Sequence, residues 1–249
     1  MKHLTNAVNF TVRNWMLIIP AFALLAISYI IQALAGISGG SSFSMESQYG
    51  FGSAGDVFKT LLGFLATSAL GGSIITLIAQ LVYQPVNYGL ANKGIETGNA
   101  ALADTGAAIT ENLAKFIMFI IGKIVLYVAL CIAAFLPVLL LKGFGYILLQ
   151  IFDIILLTLI SLWFPAMVVD GLDVVSALKK SVEIVRTCFL TVFGITFLIG
   201  LIALAATMIL GLIPIIGIIL TAAVAAIMQF VMAVFYLLLY REKTGKAAA

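Results

Sequence analysis

The chain is predicted to be all-α: an integral membrane bundle of six transmembrane helices, with one extracytoplasmic interfacial or re-entrant helix and amphipathic helices on the cytoplasmic side. Three observations predict this. Of 249 residues, 63% are hydrophobic and 9% charged, against roughly 45–50% and a quarter in soluble domains. A globule of this size has too little interior to hide so much apolar surface from water. The apolar residues also fall in long runs without the alternation of barrel strands. These features exclude a soluble enzyme and a disordered chain. A net charge of +3 is too weak for a face that grips nucleic acid.

A helix crosses roughly 30 Å of hydrocarbon in about 20 residues. On that scale the spans fall at residues 15–37, 72–90, 116–141, 144–168, 189–213 and 215–240, in one transmembrane domain over residues 1–249. The first run follows Lys2, His3 and Arg13. It exceeds the roughly 7–15-residue core of a signal peptide, so it reads as a retained span. Residues 38–55, rich in Gly and Ser, read as an extracytoplasmic loop. Asp56 resembles an N-cap for Val57–Ala69. That stretch is too short for a full crossing and suits an interfacial or re-entrant helix. Gly71-Gly72 would separate it from the second span; one long tilted helix from Val57 to Leu90 is the alternative.

Residues 91–115 read as a cytoplasmic link of mixed charge in which Ala100–Ala103 and Ala107–Lys115 form surface helix. Lys142-Gly143 separates spans three and four. Pro214, which lacks an amide proton, marks a tight turn between spans five and six. Residues 170–187 read as an amphipathic helix capped by Asp173, with Val175, Leu178, Val182 and Val185 on one face. Lys179, Glu183 and Arg186 lie opposite, Lys179 and Glu183 four apart. With Lys180 they form either a plain headgroup contact or a docking site for a cytoplasmic partner.

Lys2, Arg13, Lys93, Lys115, Lys179, Lys180, Arg186, Arg241, Lys243 and Lys246 collect on one side of these spans; Lys59 and Lys142 fall on the other. The positive-inside rule therefore puts both termini in the cytoplasm of a cell membrane.

Polar residues inside the spans are costly unless they face protein or water. Gln80, Gln84 and Asn87 share one face of the second span. Lys123 lies inside the third, and Gln150 and Asp153 are three apart in the fourth. These six are the candidate ligand-binding residues, lining a polar cavity between spans two, three and four. Interhelical hydrogen bonding is the competing account of the glutamines. Ala222 and Ala226 have small-xxx-small spacing, which suits close packing within the bundle.

Catalytic chemistry is not expected. The single histidine, His3, lies near the start of the chain, which leaves no Ser-His or Cys-His pair within the spans. Neither a zincin motif nor a phosphate-binding loop occurs; Gly36, Gly39 and Gly40 lack the strand-to-helix setting of the latter. Cys131 and Cys188 read as free thiols. No metal site and no cofactor are expected. Three functions remain: a non-enzymatic protein that binds a lipid or small amphiphile or supports a membrane complex; a secondary transporter using Asp153 as an embedded carboxylate; and an immunity or partner subunit of another membrane protein.

The opening Val12-Arg13-Asn14-Trp15-Met16-Leu17-Ile18-Ile19-Pro20 resembles the start of a broad prokaryotic six-span group. That group includes the membrane domain of glycerophosphoryl diester phosphodiesterases and related uncharacterised multi-pass proteins. Trp163-Phe164-Pro165-Ala166-Met167-Val168-Val169-Asp170, followed by Ala177-Leu178-Lys179-Lys180-Ser181, is similar to its span-four end and following helix. Pro85-Val86-Asn87-Tyr88-Gly89-Leu90 matches loosely. The resemblance implies a membrane bundle, sometimes fused to a lipid-headgroup phosphodiesterase. This chain lacks such a domain, so no catalytic residue carries over.

Overall fold

The structure, a computed structural model, describes residues 2–34, 53–70, 74–213 and 216–246. It is 91% helix, with no strand among the described residues. The helices are α1 (Lys2–Arg13), α2 (Ile19–Leu34), α3 (Ala54–Leu70), α4 (Ile74–Thr97), α5 (Thr105–Leu141), α6 (Gly143–Leu159), α7 (Trp163–Asp170), α8 (Val174–Leu210) and α9 (Ile216–Lys243). Short 3₁₀ turns at Trp15–Ile18 and Leu102–Asp104 lead into α2 and α5.

Five stretches are long and apolar enough to cross a membrane: Trp15–Leu34, Leu102–Leu141, Gly143–Asp170, Val174–Leu210 and Ile216–Lys243. Their outer faces carry large apolar side chains such as Ile121, Val125, Ile132, Leu136, Ile147, Ile151, Leu201 and Leu204. An apolar surface of this extent belongs in lipid. The stretch expected to be the second span is not among the five, because Gln80, Gln84 and Asn87 dilute the hydropathy of α4. This helix packs against α2, α5, α7 and α9. Protein rather than lipid therefore covers much of it.

Several expected boundaries move. Helix α4 runs on through Thr97, so residues 91–97 are helix rather than link. The surface helix before span three is continuous with that span, giving the 37-residue α5. The amphipathic helix before span five likewise merges into the 37-residue α8. Here the two parts meet at a kink, where Cys188 has φ −136° and ψ 27°. Its buried face is Ala177, Ser181, Ile184 and Val185, whereas Val175 is exposed. Residues 2–13, unassigned by the sequence reading, form α1, which packs on α9 and buries Ala7 and Thr11.

Local chemistry explains the helix ends. Asp56 is not the N-cap of α3 but its third residue. Ser53 Oγ accepts from the Asp56 N–H at 3.3 Å, and Asp56 accepts from the Ser53 N–H at 3.0 Å, a capping box. Asp173 does cap α8, accepting from the N–H groups of Val175 and Ser176 at 3.1 and 3.2 Å. Between α5 and α6, Lys142 adopts φ +51°. Gly145 there lies against the Pro137 and Val138 backbone, where a Cβ has no room.

The apolar stretch Gly143–Asp170 is broken rather than straight. Helix α6 stops at Leu159 and α7 starts at Trp163. Pro165 has no N–H for the Ser161 carbonyl, and its ring crowds that turn. Ser181 of α8 repairs the break: its hydroxyl donates to the Leu159 carbonyl at 2.8 Å and accepts from the Leu162 N–H at 3.1 Å. Non-helical backbone at membrane depth persists only where protein satisfies it in this way.

The main core joins α2, α4, α7, α8 and α9 through residues such as Leu25, Leu90, Phe164, Val192 and Phe230. A smaller core joins α3, α5 and α6 through Val57, Phe64, Tyr127, Tyr146 and Leu149. Ala222 and Ala226 are fully buried within the bundle. The end of the expected first span at residues 35–37, the loop at 38–52 with Gly39 and Gly40, the Gly71-Gly72 break and the Pro214 turn lie outside the described residues.

Candidate functional site: an aromatic cavity beside Lys123

A cavity of about 470 Å³ opens where α4, α5, α6, α7, α8 and α9 meet. Gln80, Gln84 and Tyr88 line it from successive turns of α4. Phe116, Phe119 and Lys123 line it from α5, at three- and four-residue spacing on one helical face. Thr158 and Ser161 come from the end of α6 and the break, and Phe164 from α7. Phe193, Thr196 and Phe197 of α8 and Tyr236 of α9 complete the wall.

The aromatic side chains form a connected cluster. Phe164 packs edge-on against Tyr88 and Phe116, at ring-centroid distances of 4.9 and 5.1 Å. Phe119 bridges to Trp163 at 5.3 Å. Phe189, Phe193 and Phe197 stack along one face of α8. Trp163 is itself fixed, donating from Nε1 to the Val174 carbonyl at 2.7 Å. Gly122 leaves room for that indole, since a Cβ there would stand 2.9 Å from the ring.

Of the six residues expected to line a polar cavity, three do so: Gln80, Gln84 and Lys123. Gln84 also donates to Gln229 of α9 at 3.4 Å, as interhelical bonding requires. Asn87 is fully buried, and neither polar atom of its amide has a partner among the described residues. Gln150 turns away and donates to Tyr146 of its own helix at 2.7 Å. Asp153 is absent from the cavity wall. It lies in the smaller core, accepting from Tyr127 at 2.6 Å and from Ser68 at 3.1 Å. Lys123 and Asp153 do not form an ion pair; the Lys123 ammonium sits 5.7 Å from the Tyr127 ring centroid, a cation–π contact.

The sequence reading missed the aromatic wall, the hydroxyls of Thr158, Ser161 and Thr196, and the share of the last two spans. One signal was available: Phe189, Phe193 and Phe197 recur every fourth residue. Thr196 and Tyr236 share a 2.9 Å hydrogen bond on the wall. The Ser161 hydroxyl is enclosed without a partner among the described residues.

The proposed docking patch is on the surface. Lys179, Glu183 and Arg186 are exposed and Lys180 is half-buried. Glu183 pairs with Lys180 at 3.3 Å rather than with Lys179, since the i,i+3 partner reaches it first. Asp170 binds Lys246 and accepts from Tyr240, both at 2.6 Å. His3 meets Glu242 at 2.7 Å, so the start of α1 lies beside the end of α9. No metal-binding cluster of His, Cys, Asp or Glu occurs among the described residues. No family model matches the chain, and neither a curated protein nor a solved structure does.

Proposed function

We propose that the chain is a non-enzymatic multi-pass protein of the cell membrane that holds a lipid or other small amphiphile in the aromatic cavity. The observation that carries this reading is the wall itself: seven aromatic side chains with a minority of polar groups around about 470 Å³. Ligand sites have this character, with volumes of roughly 300–1,000 Å³, mostly apolar walls and a few placed polar groups.

In this reading α4 is a sixth span, shielded by its neighbours, and α3 is an extracytoplasmic helix, re-entrant or at the interface. Both termini lie in the cytoplasm. The excess of Lys and Arg on that side and the His3–Glu242 contact support this arrangement. The exposed Lys179–Arg186 face leaves room for a partner at the same surface. The resemblance to the six-span group agrees with such a bundle.

Native mass spectrometry from mild detergent tests the reading. A co-purifying lipid or amphiphile is expected on the wild type and should be lost from Thr196→Phe, which fills the cavity. Absence of any bound molecule from both, after extraction in several mild detergents, overturns it.

A further inference from the structure

We infer that the occupant of this cavity is an anionic single-chain amphiphile whose head group is held by Lys123 and Ser161; the inference rests on the amphiphile reading above. Among the described residues Lys123 is the charged residue of the wall, and no carboxylate lines it. Among the described residues no acid lies within ion-pair distance of its ammonium. The nearby carboxyl of Asp153 has its two oxygens turned to Tyr127 and Ser68. An incoming cation would therefore meet the ammonium before any acid. An anion would instead find a donor in the ammonium.

Ser161 adds the second observation. Its hydroxyl is buried on the same wall and unpartnered. Such a group costs free energy unless something accepts its proton or donates to it. Trp163, two residues beyond Ser161, packs against Gly122, the neighbour of Lys123. Both donors line the same cavity, and a carboxylate has oxygens for both.

Size argues for one chain. At roughly 30 Å³ for each water-sized group, the cavity seats about sixteen such groups, which suits one acyl chain with its head rather than a diacyl lipid. The rings of Phe116, Phe119, Phe193 and Phe197 supply the tail's surroundings.

Trp163 provides the readout. The chain has two tryptophans, so Trp15→Phe leaves Trp163 alone, 5.3 Å from the wall residue Phe119. Trp15→Phe protein in phosphatidylcholine vesicles is titrated, at mildly alkaline pH, with ω-bromoundecanoic acid and separately with its methyl ester. Saturable quenching is expected from both, with half-quenching by the acid at about tenfold lower concentration, as a charge-assisted contact implies. Lys123→Gln should remove that preference and Lys123→Arg should keep it. Ser161→Ala, which deletes one unpartnered hydroxyl, should weaken the acid about threefold and the ester by less, because an ester carbonyl is the weaker acceptor.

Equal quenching by acid and ester in the Trp15→Phe protein overturns the inference while leaving the amphiphile reading intact. Quenching that rises linearly with both probes, without saturation, removes the amphiphile reading as well. The acid-to-ester comparison needs no Lys123 variant, so it stands even where Lys123→Gln fails to fold.

Discussion

Tyr127 holds Asp153: its hydroxyl donates to the carboxyl at 2.6 Å, with both residues buried. Ser68 of α3 donates to the other oxygen, and the Lys123 ammonium lies over the Tyr127 ring. The acid thus joins three helices, α3, α5 and α6, at the centre of the smaller core. Tyr127→Phe removes a donor from a buried polar group and should cost about 1–3 kcal/mol. Asp153→Asn keeps an acceptor for Tyr127 and offers its amide to Ser68, so it should cost under about 1 kcal/mol. Asp153→Leu should cost as much as Tyr127→Phe. Unfolding in mixed detergent, followed by tryptophan fluorescence, ranks the three; an Asn variant as damaged as the Leu variant would contradict the hydrogen-bond account.

Arg241 is nearly buried at the end of α9, where it donates to Asn92 at 2.9 Å and meets Glu96 at 3.4 Å. The two partners are unequal. Glu96 is 58% exposed, and water and salt screen an exposed carboxylate. Asn92→Ala should therefore cost about 1.5–3 kcal/mol, the range for hydrogen bonds to charged groups, and Glu96→Ala under about 1 kcal/mol. Added salt should shrink the Glu96 effect and leave that of Asn92 in place. The same unfolding assay at two salt concentrations measures both.

The long apolar runs were legible because composition and run length alone demand them. Polar residues within them were equally visible, which is why Gln80, Gln84 and Lys123 could be assigned to a cavity. What surrounds a polar residue was not visible. Ser68 is 85 residues from Asp153 and Tyr127 is 26 away, and no local pattern brings them together. The aromatic wall was hidden for a different reason: a phenylalanine in an apolar run looks the same whether it faces lipid or ligand. Proline was ambiguous too. Helices α4 and α5 run through Pro85 and Pro137, while the chain breaks before Pro165. The outcome at Pro165 depends on Ser181, a residue from the next helix.

The Asp173 cap gives a pH dependence outside the spans. The Ser176 side chain, and then the Ser176 and Val175 N–H groups, hold the Asp173 carboxyl below the usual aspartate range. A group with a lowered folded pKa contributes stability above its unfolded value and loses it as pH falls through the folded value. Amide protection at Val175 and Ser176 should therefore be steady near neutrality and decline only on acidification below the ordinary aspartate range. In Asp173→Ala, protection at these amides should already be lowered at neutral pH and should lack that acid step. Hydrogen exchange on the two proteins across this range tests the cap; an acid step retained in the Ala variant would assign it to another group.

The break between α6 and α7 poses a question of cause that a mutant cycle answers. If Pro165 interrupts the helix and Ser181 repairs the interruption, the two residues are coupled although they do not bond to each other. Ser181→Ala strands the Leu159 carbonyl and the Leu162 N–H in a fully buried place, and should cost about 1–3 kcal/mol. Pro165→Ala alone restores an N–H for the Ser161 carbonyl and lets the α6 ladder continue towards α7. In that background Leu159 and Leu162 have helical partners within reach, so Ser181→Ala should cost about half as much or less. The double mutant would then be more stable than the sum of the single effects, with a coupling of about 0.5–2 kcal/mol. Additive losses would mean that the turn is set by the packing of Leu162 and Trp163 against α8 rather than by the proline. Because Ser161 lies in this turn and lines the cavity, straightening it should also shift the Trp163 emission, which gives the cycle a second readout independent of stability.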